Sequence, residues 1–294
     1  MKLSYDGPPL HQAALRQRLR NIAQAGGGSE IQLVRTIANR VVAQMLPAGV
    51  VKGGSAINFC GGDSNTRFTT DLDAARPADM TPEEFVNEFG ANLEAGWNGF
   101  TGTIRPVAVA CSVDVPFDYV MRPYSVKLAY MGRSLCSAAF ELGYDEIGAT
   151  SRPSRAMAAS ISELFTRLGF PEPREVDVLA AAYQIAQKLH ACTNPDTRGG
   201  DQRAHDLVDI QLLAELEPVD PARLDEVGRR VFASRRTSSW PPTVTPFPGW
   251  EELYVAAAEG VDVRPLVEAV EWVNTMIEEA VASGDQTSRP QSGD

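Results

Sequence analysis

Every stretch with strand-like alternation lies before residue 180, and every apolar pattern beyond it has helical spacing. Ala48–Lys52 is a short apolar stretch, Phe68–Ala74 carries an Asp pair, Thr101–Cys111, Ser125–Met131 and Ser134–Leu142 alternate in strand fashion, and Val176–Leu179 adds a short sixth stretch. Residues 181–192, 203–216, 221–234, 249–259 and 263–283 repeat apolar positions every three to four residues. Strands first and helices later predict an α+β chain with two lobes: a sheet lobe over residues 1–180 and a mainly helical lobe over 181–294. Helices at 10–25, 29–46 and from Thr81 to about Ala95 flank the early strands. Thr81-Pro82-Glu83-Glu84 reads as a helix start, with Thr at the cap and Pro at the first position. A Gly132-Arg133 turn joins the last two long strands into a hairpin, and 238–243 reads as a rigid connector. A disordered tail is expected from about 285.

At 294 residues the chain can bury a sizeable core. No apolar run approaches the roughly 20 residues that cross a bilayer, and the first residues lack the apolar core of a signal peptide. The expectation is a cytoplasmic protein with no membrane partner and a monomeric state. Its four cysteines (60, 111, 136, 192) form no CxxC motif and read as reduced thiols. The net charge of −11 argues against a nucleic-acid partner until its distribution is seen. Residues 251–294 carry ten acids against Arg264 and Arg289, which leaves −3 for the first 250 residues. Residues 1–50 have a net of +4, enough for a basic face.

Two constellations carry chemistry. In the first, the Gly53-Gly54-Ser55 turn is followed, after fifteen intervening residues, by Asp71-Leu72-Asp73. Two glycines let a backbone approach a phosphate, the helix that follows aims its N–H groups at the anion, and Ser55 adds a hydroxyl. Asp71 and Asp73, two apart on a strand, share one face. Two such carboxylates repel unless a cation lies between them, and hard oxygens suit Mg²⁺. Glu141, inside the apolar strand Ala139–Leu142, is the candidate third acid of a metal site. A plain tight turn and a solvated acid pair are the simpler alternatives.

The second constellation is helical. Lys188 follows Gln184 on the polar side of 181–192, and Arg203, Asp206 and Asp209 share one face of the next helix. Salt bridging between Lys188 and these acids is the structural alternative to a lysine on a triphosphate oriented by Asp209. His190 and His205 lack Cys or carboxylate partners at zinc spacing and read as packing or hydrogen-bonding groups.

The segments Val51–Ser55, Arg67–Asp73, Ile185–Ala191 and Asp201–Asp209, in this order, resemble the AbiEii/AbiGii nucleotidyltransferase toxins, most of all the mycobacterial MenT branch. Similarity extends to Trp240-Pro241-Pro242 and Ala258-Glu259-Gly260. The resemblance implies a DNA-polymerase-β-like nucleotidyltransferase lobe, with a mixed β-sheet flanked by helices, and a helical lobe that contributes Lys188 and Asp209. It implies a toxin paired with an antitoxin, a transferase of the EC 2.7.7 type. With Mg²⁺, such a toxin adds NMP from an NTP, CTP or GTP, to the 3′ acceptor end of tRNA and blocks aminoacylation and translation. Carried over by position, Gly53, Gly54 and Ser55 bind the triphosphate, Asp71 and Asp73 hold Mg²⁺, and Lys188 and Asp209 are catalytic, with Arg203 and Asp206 beside the nucleotide. Related toxins are silenced by antitoxin-driven phosphorylation at a hydroxyl like Thr69 or Thr70. The Ser55-to-Asp71 gap is longer than the usual pattern, although the MenT branch shares it, and Glu141 rests on the residue reading alone. Two other readings stay open: nucleotidylation of a protein or small molecule, as in antibiotic adenylyltransferases, and a binding module without activity.

Overall fold

The computed structural model describes residues 3–26, 28–62, 66, 69, 71–108, 121–194 and 203–287. The chain divides into two compact units, Met1–Asp63 with Phe68–Val178, and Ser64–Arg67 with Leu179–Asp294.

The first unit is built on a seven-stranded mixed sheet. Its strands are β1 (Val50–Lys52), β2 (Asp71–Ala75), β3 (Phe100–Pro106), β4 (Arg122–Tyr130), β5 (Arg133–Gly143), β6 (Ser154–Ala156) and β7 (Val176–Val178), in the order β3-β4-β5-β2-β1-β7-β6. β2 lies at the centre, antiparallel to β1 with Lys52 opposite Asp73, and parallel to β5 with Asp71 opposite Ala139 and Asp73 opposite Glu141. Five helices accompany the sheet: α1 (Gln12–Gly26), α2 (Glu30–Gln44), α3 (Gly53–Gly61), α4 (Pro82–Ala95) and α5 (Ala159–Leu168). α2 packs on β2, β4 and β5, and α4 packs on β3. Alternation sends Leu72 and Ala74 of β2, with Phe140 and Leu142 of β5, into the buried core. Phe140 meets Phe89 of α4 at 5.1 Å between ring centroids.

The second unit holds α6 (Ala181–Thr193), α7 (Ala204–Leu216), α8 (Pro221–Arg235), α9 (Trp250–Ala257) and α10 (Leu266–Thr287). α8 packs on both α6 and α10, while α7 packs on α6 and α9. The segment after α8 is tied down. Trp240 Nε1 donates to Asp225 Oδ1 at 2.7 Å, and its ring covers Gly228, where any Cβ would come within 2.5 Å of the ring. Asn274 of α10 bonds both the N–H and the carbonyl of Val244.

Several expectations need correction. β6 and α5 were not expected, although Ile161, Leu164, Phe165 and Leu168 of α5 do have helical spacing and are buried. β3 ends at Pro106; the rest of the expected strand reaches Cys111, and residues 109–120 lie outside the described residues. The hairpin turns on Met131-Gly132, both with positive φ (48° and 72°), so Arg133 pairs with Tyr130 instead of forming the turn. A two-residue loop of that hand follows the twist of the flanking strands. α10 continues to Thr287, past the expected start of the tail, and residues 288–294 lie outside the described residues. The charge of the first 50 residues is spent largely on structure: Arg16 donates to Leu135 O, Arg18 to Gly7 O and Leu168 O, Arg20 pairs with Glu30, and Arg40 is buried against Phe59.

The start of α4 is a full capping box. Thr81 Oγ1 accepts from the Glu84 N–H at 3.2 Å, and the Thr81 N–H donates to Glu84 Oε2 at 2.8 Å. Thr81→Ala is expected to cost about 1 kcal/mol, read as a lower urea midpoint with an unchanged slope.

Candidate active site

The side of β2 opposite the core carries Asp71 and Asp73, both half-buried. Directly across the neighbouring strands, Lys52 and Glu141 stand level with Asp73, so all three share one face of the sheet. Thr69, just ahead of β2, donates its hydroxyl to Asp71 Oδ1 at 3.1 Å. Thr70 lies outside the described residues.

The Gly-Gly-Ser turn meets this face. β1 ends at Lys52 and α3 begins at Gly53, whose φ of +63° lies in the left-handed region. A Cβ on Gly53 would sit 2.5 Å from Asp73 Oδ2. Glycine is therefore required twice, by its backbone angle and by the carboxylate lying over it. No side chain at the cap position bonds the first N–H groups of α3. Ser55 departs from its expected role: it is fully buried, and its hydroxyl donates to the Asp71 carbonyl at 2.5 Å. It anchors β2 to α3 instead of offering its proton to a ligand. Arg40 of α2 steadies α3 from below, donating to Asn58 Oδ1 and stacking on Phe59.

Glu141 is half-buried, and its carboxyl is pushed above the usual range by burial and by the charge of Asp71, against the pull of the Lys52 ammonium. Among the described residues no group of three or more His, Cys, Asp or Glu is gathered to hold a metal. Asp71, Asp73 and Glu141 thus do not form the expected three-carboxylate set.

In the second unit Lys188 of α6 lies between two acids of α7. Its Nζ is 2.6 Å from Asp209 Oδ2 and 3.0 Å from Asp206 Oδ1, and the side chains of Asp209 and Asp206 are 0% and 3% exposed. Burial works against the ammonium, but the charges and hydrogen bonds of Asp209 and Asp206 outweigh it and hold the Lys188 pKa above the ordinary lysine value. Arg203, at the start of α7, stands 3.7 Å from Asp206 Oδ2, and that buried oxygen has no hydrogen-bond partner among the described residues. His190 is held structurally, with Thr237 Oγ1 2.8 Å from its Nε2 and Arg235 Nη1 3.3 Å from its Nδ1.

A family model described as "Nucleotidyl transferase AbiEii toxin, Type IV TA system" matches residues 33–275. The chain belongs to the AbiEii family. It is therefore a nucleotidyltransferase toxin of a type IV toxin–antitoxin system, which implies a cognate antitoxin. Among solved structures, the AbiEii chain is similar to MenT4, a nucleotidyltransferase toxin from Mycobacterium tuberculosis, at 17% identity and a TM-score of 0.48, over 94% of this chain and 99% of that one. It is also similar to JHP933 from Helicobacter pylori, at 16% identity and a TM-score of 0.44, over 88% and 96%. No curated protein matches the sequence. No described helix is long and apolar enough to cross a membrane.

The donors of the AbiEii toxin's sheet face fit a hard divalent cation. Asp71 and Asp73 offer oxygens on one face, and Gly53 leaves open the space beside Asp73 that a side chain would fill. Magnesium commonly takes one or two carboxylates and fills its remaining positions with water and substrate phosphates. Lys52 is the residue that motif reading passed over. Its signal was its place, a cation closing an apolar strand just before a Gly-Gly turn. In the second unit, Lys188→Met would take the ammonium away from two buried carboxylates, and is expected to cost about 3–5 kcal/mol. Because the Lys188 pKa is raised, this contribution is fully present below 10.5 and is lost only as pH climbs through the raised value. Chemical denaturation of wild type and variant at pH 7 and above 11 measures the difference, which should shrink at the higher pH.

Proposed function

We propose that this toxin is a Mg²⁺-dependent transferase that moves NMP from an NTP, CTP or GTP, to the 3′ end of the tRNA acceptor stem and so stops aminoacylation and translation. The observation that carries the transfer chemistry is the pair Asp71 and Asp73 on one face of β2, beside the Gly53 turn and the uncapped start of α3. The choice of tRNA rests on the motif resemblance to toxins that act on tRNA ends.

In this reading the terminal ribose hydroxyl attacks the α-phosphorus. The new O–P bond forms as the bond to the β-phosphate oxygen breaks, pyrophosphate leaves and the hydroxyl proton is released. Asp71 and Asp73 would hold the magnesium ion, which when bound would supply charge neutralisation at the phosphates and a lower pKa for the attacking hydroxyl. The N–H groups at Gly53 and Gly54 bind phosphate oxygens at the positive end of α3. Ser55 keeps β2 in register with that turn through the Asp71 carbonyl. By the motif resemblance, Lys188, with its charge maintained by Asp206 and Asp209, offsets phosphate charge, and Arg203 lies 3.7 Å from Asp206 at the start of α7.

Incubation with each labelled NTP in turn, Mg²⁺, and either total tRNA, protein or aminoglycoside tests the proposal. Label should pass to tRNA with one NTP, and Asp71→Ala should abolish it. Transfer to protein or aminoglycoside in place of tRNA would overturn the choice of acceptor, and full activity in Asp71→Ala would overturn the site.

Control of the toxin follows from Thr69. A phosphate there would add close to two negative charges within hydrogen-bond reach of Asp71 and compete for the cation and the NTP. Mass spectrometry of toxin co-expressed with its antitoxin should find phosphate at Thr69 or Thr70 in the silenced protein. An unmodified peptide from silenced toxin would refute this.

A further inference from the structure

We infer that the outer face of α8 is the surface on which this toxin seats the sugar–phosphate backbone of its RNA acceptor, through Arg229, Arg230 and Arg236. The inference rests on the tRNA reading above and adds to it the surface that grips the RNA.

Charge is sorted sharply among the helices of the second unit. α7, α9 and α10 together carry ten acids and no Lys or Arg, and α6 carries Lys188 alone. α8 with its cap residue Arg236 carries five arginines against Asp225 and Glu226. Helical spacing then divides α8. Leu224, Val227, Val231 and Phe232 are buried, while Arg229, Arg230, Ala233 and Ser234 are exposed. The two acids of α8 are already engaged. Asp225 is buried and accepts from Trp240 Nε1 and Arg229 Nε, and Glu226 pairs with Arg223 and Arg230. Asp285 of α10 stands 3.8 Å from Arg229. Even so, the Arg229 and Arg230 side chains stay 50% and 45% exposed. A guanidinium carries five N–H donors in a flat fork, so these pairs steady it and leave donors for phosphate oxygens. Ala233 and Ser234, small residues between the arginines, let a backbone come close.

The C-terminal end of this face has a fixed place. Arg236 closes α8 with a φ of +59°, a position that glycine usually fills. A long charged side chain therefore stands where backbone strain disfavours one. On one side of it, Arg235 Nη1 lies 3.3 Å from His190 Nδ1. On the other, Thr237 Oγ1 lies 2.8 Å from His190 Nε2 and accepts from Asn194 Nδ2 at 3.2 Å. His190 belongs to α6 and Asn194 caps it, so the arginine row ends against the helix that carries Lys188. From Arg229 to Arg236 the row is roughly 10 Å long. Base-paired RNA is gripped chiefly through its phosphates and 2′-hydroxyls, and phosphates demand local positive charge. The charge of residues 1–50 is spent largely on structure, and α8 supplies what they do not.

Fluorescence anisotropy of the full chain with labelled total tRNA, without NTP, tests this. Wild type should bind with an affinity that falls as salt rises. Arg229→Gln/Arg230→Gln/Arg236→Gln should weaken binding at least about tenfold and lower the salt slope by about 2–3. Arg229→Lys/Arg230→Lys/Arg236→Lys should stay within about threefold of wild type, which separates lost charge from lost folding. Glu278→Gln/Glu279→Gln, on the exposed side of α10, should not weaken binding. A glutamine variant with wild-type affinity and slope would overturn the inference and leave the transfer proposal standing. A lysine variant as weak as the glutamine variant would do the same. Wild type that binds no tRNA would overturn both the surface and the choice of acceptor.

Discussion

The pairing of β2 with β5 and β1 is the constraint on which the first unit depends. Leu72 and Ala74 face the core with Phe140 and Leu142, and each large apolar side chain buried there is worth about 1.5–3 kcal/mol. A slip of one residue would turn that set outward and drive Asp71, Asp73 and Glu141 into the core, at a cost no neighbouring group could offset. The hydrophobic face therefore fixes the acidic one. Gly53 and Ser55 complete the arrangement from the β1 side: one makes room for Asp73, and the other grips the Asp71 carbonyl.

The second unit solves a different electrostatic problem. A lysine with little exposure faces two buried aspartates on the next helix, and the opposite charges offset one another's burial. Structural and functional readings of Lys188 are therefore not alternatives. The same two contacts that hold α6 against α7 also keep the ammonium charged throughout the physiological pH range.

Much of the architecture was legible in local pattern. Period-two alternation marked β2 and β5, helical spacing marked α4, α8 and α10, and a cap marked the start of α4, because each of these signals is written in neighbouring residues. What escaped was short or set by distant partners. β6 is three residues long, too short for a period to show, and exists because β7 offers it an edge. The hairpin turn moved by one residue because the register of β4 against β5 decides which residues must take positive φ. Ser55 looked like a free hydroxyl because nothing in the Gly-Gly-Ser string announces that the Asp71 carbonyl will take its proton.

The sequence alone determined that Asp71 and Asp73 share a face, that a glycine turn precedes a helix, and that the chain carries the motifs of the AbiEii family, since these follow from local periodicity and backbone freedom. Only the tertiary structure decided which charges answer one another. Lys52 and Glu141 come level with Asp73 from the two strands beside β2, and Lys188 meets Asp206 and Asp209 across a helix pair. Charge pairing acts through space at a few ångströms, and strand order and helix packing, not position along the chain, bring those groups within that range.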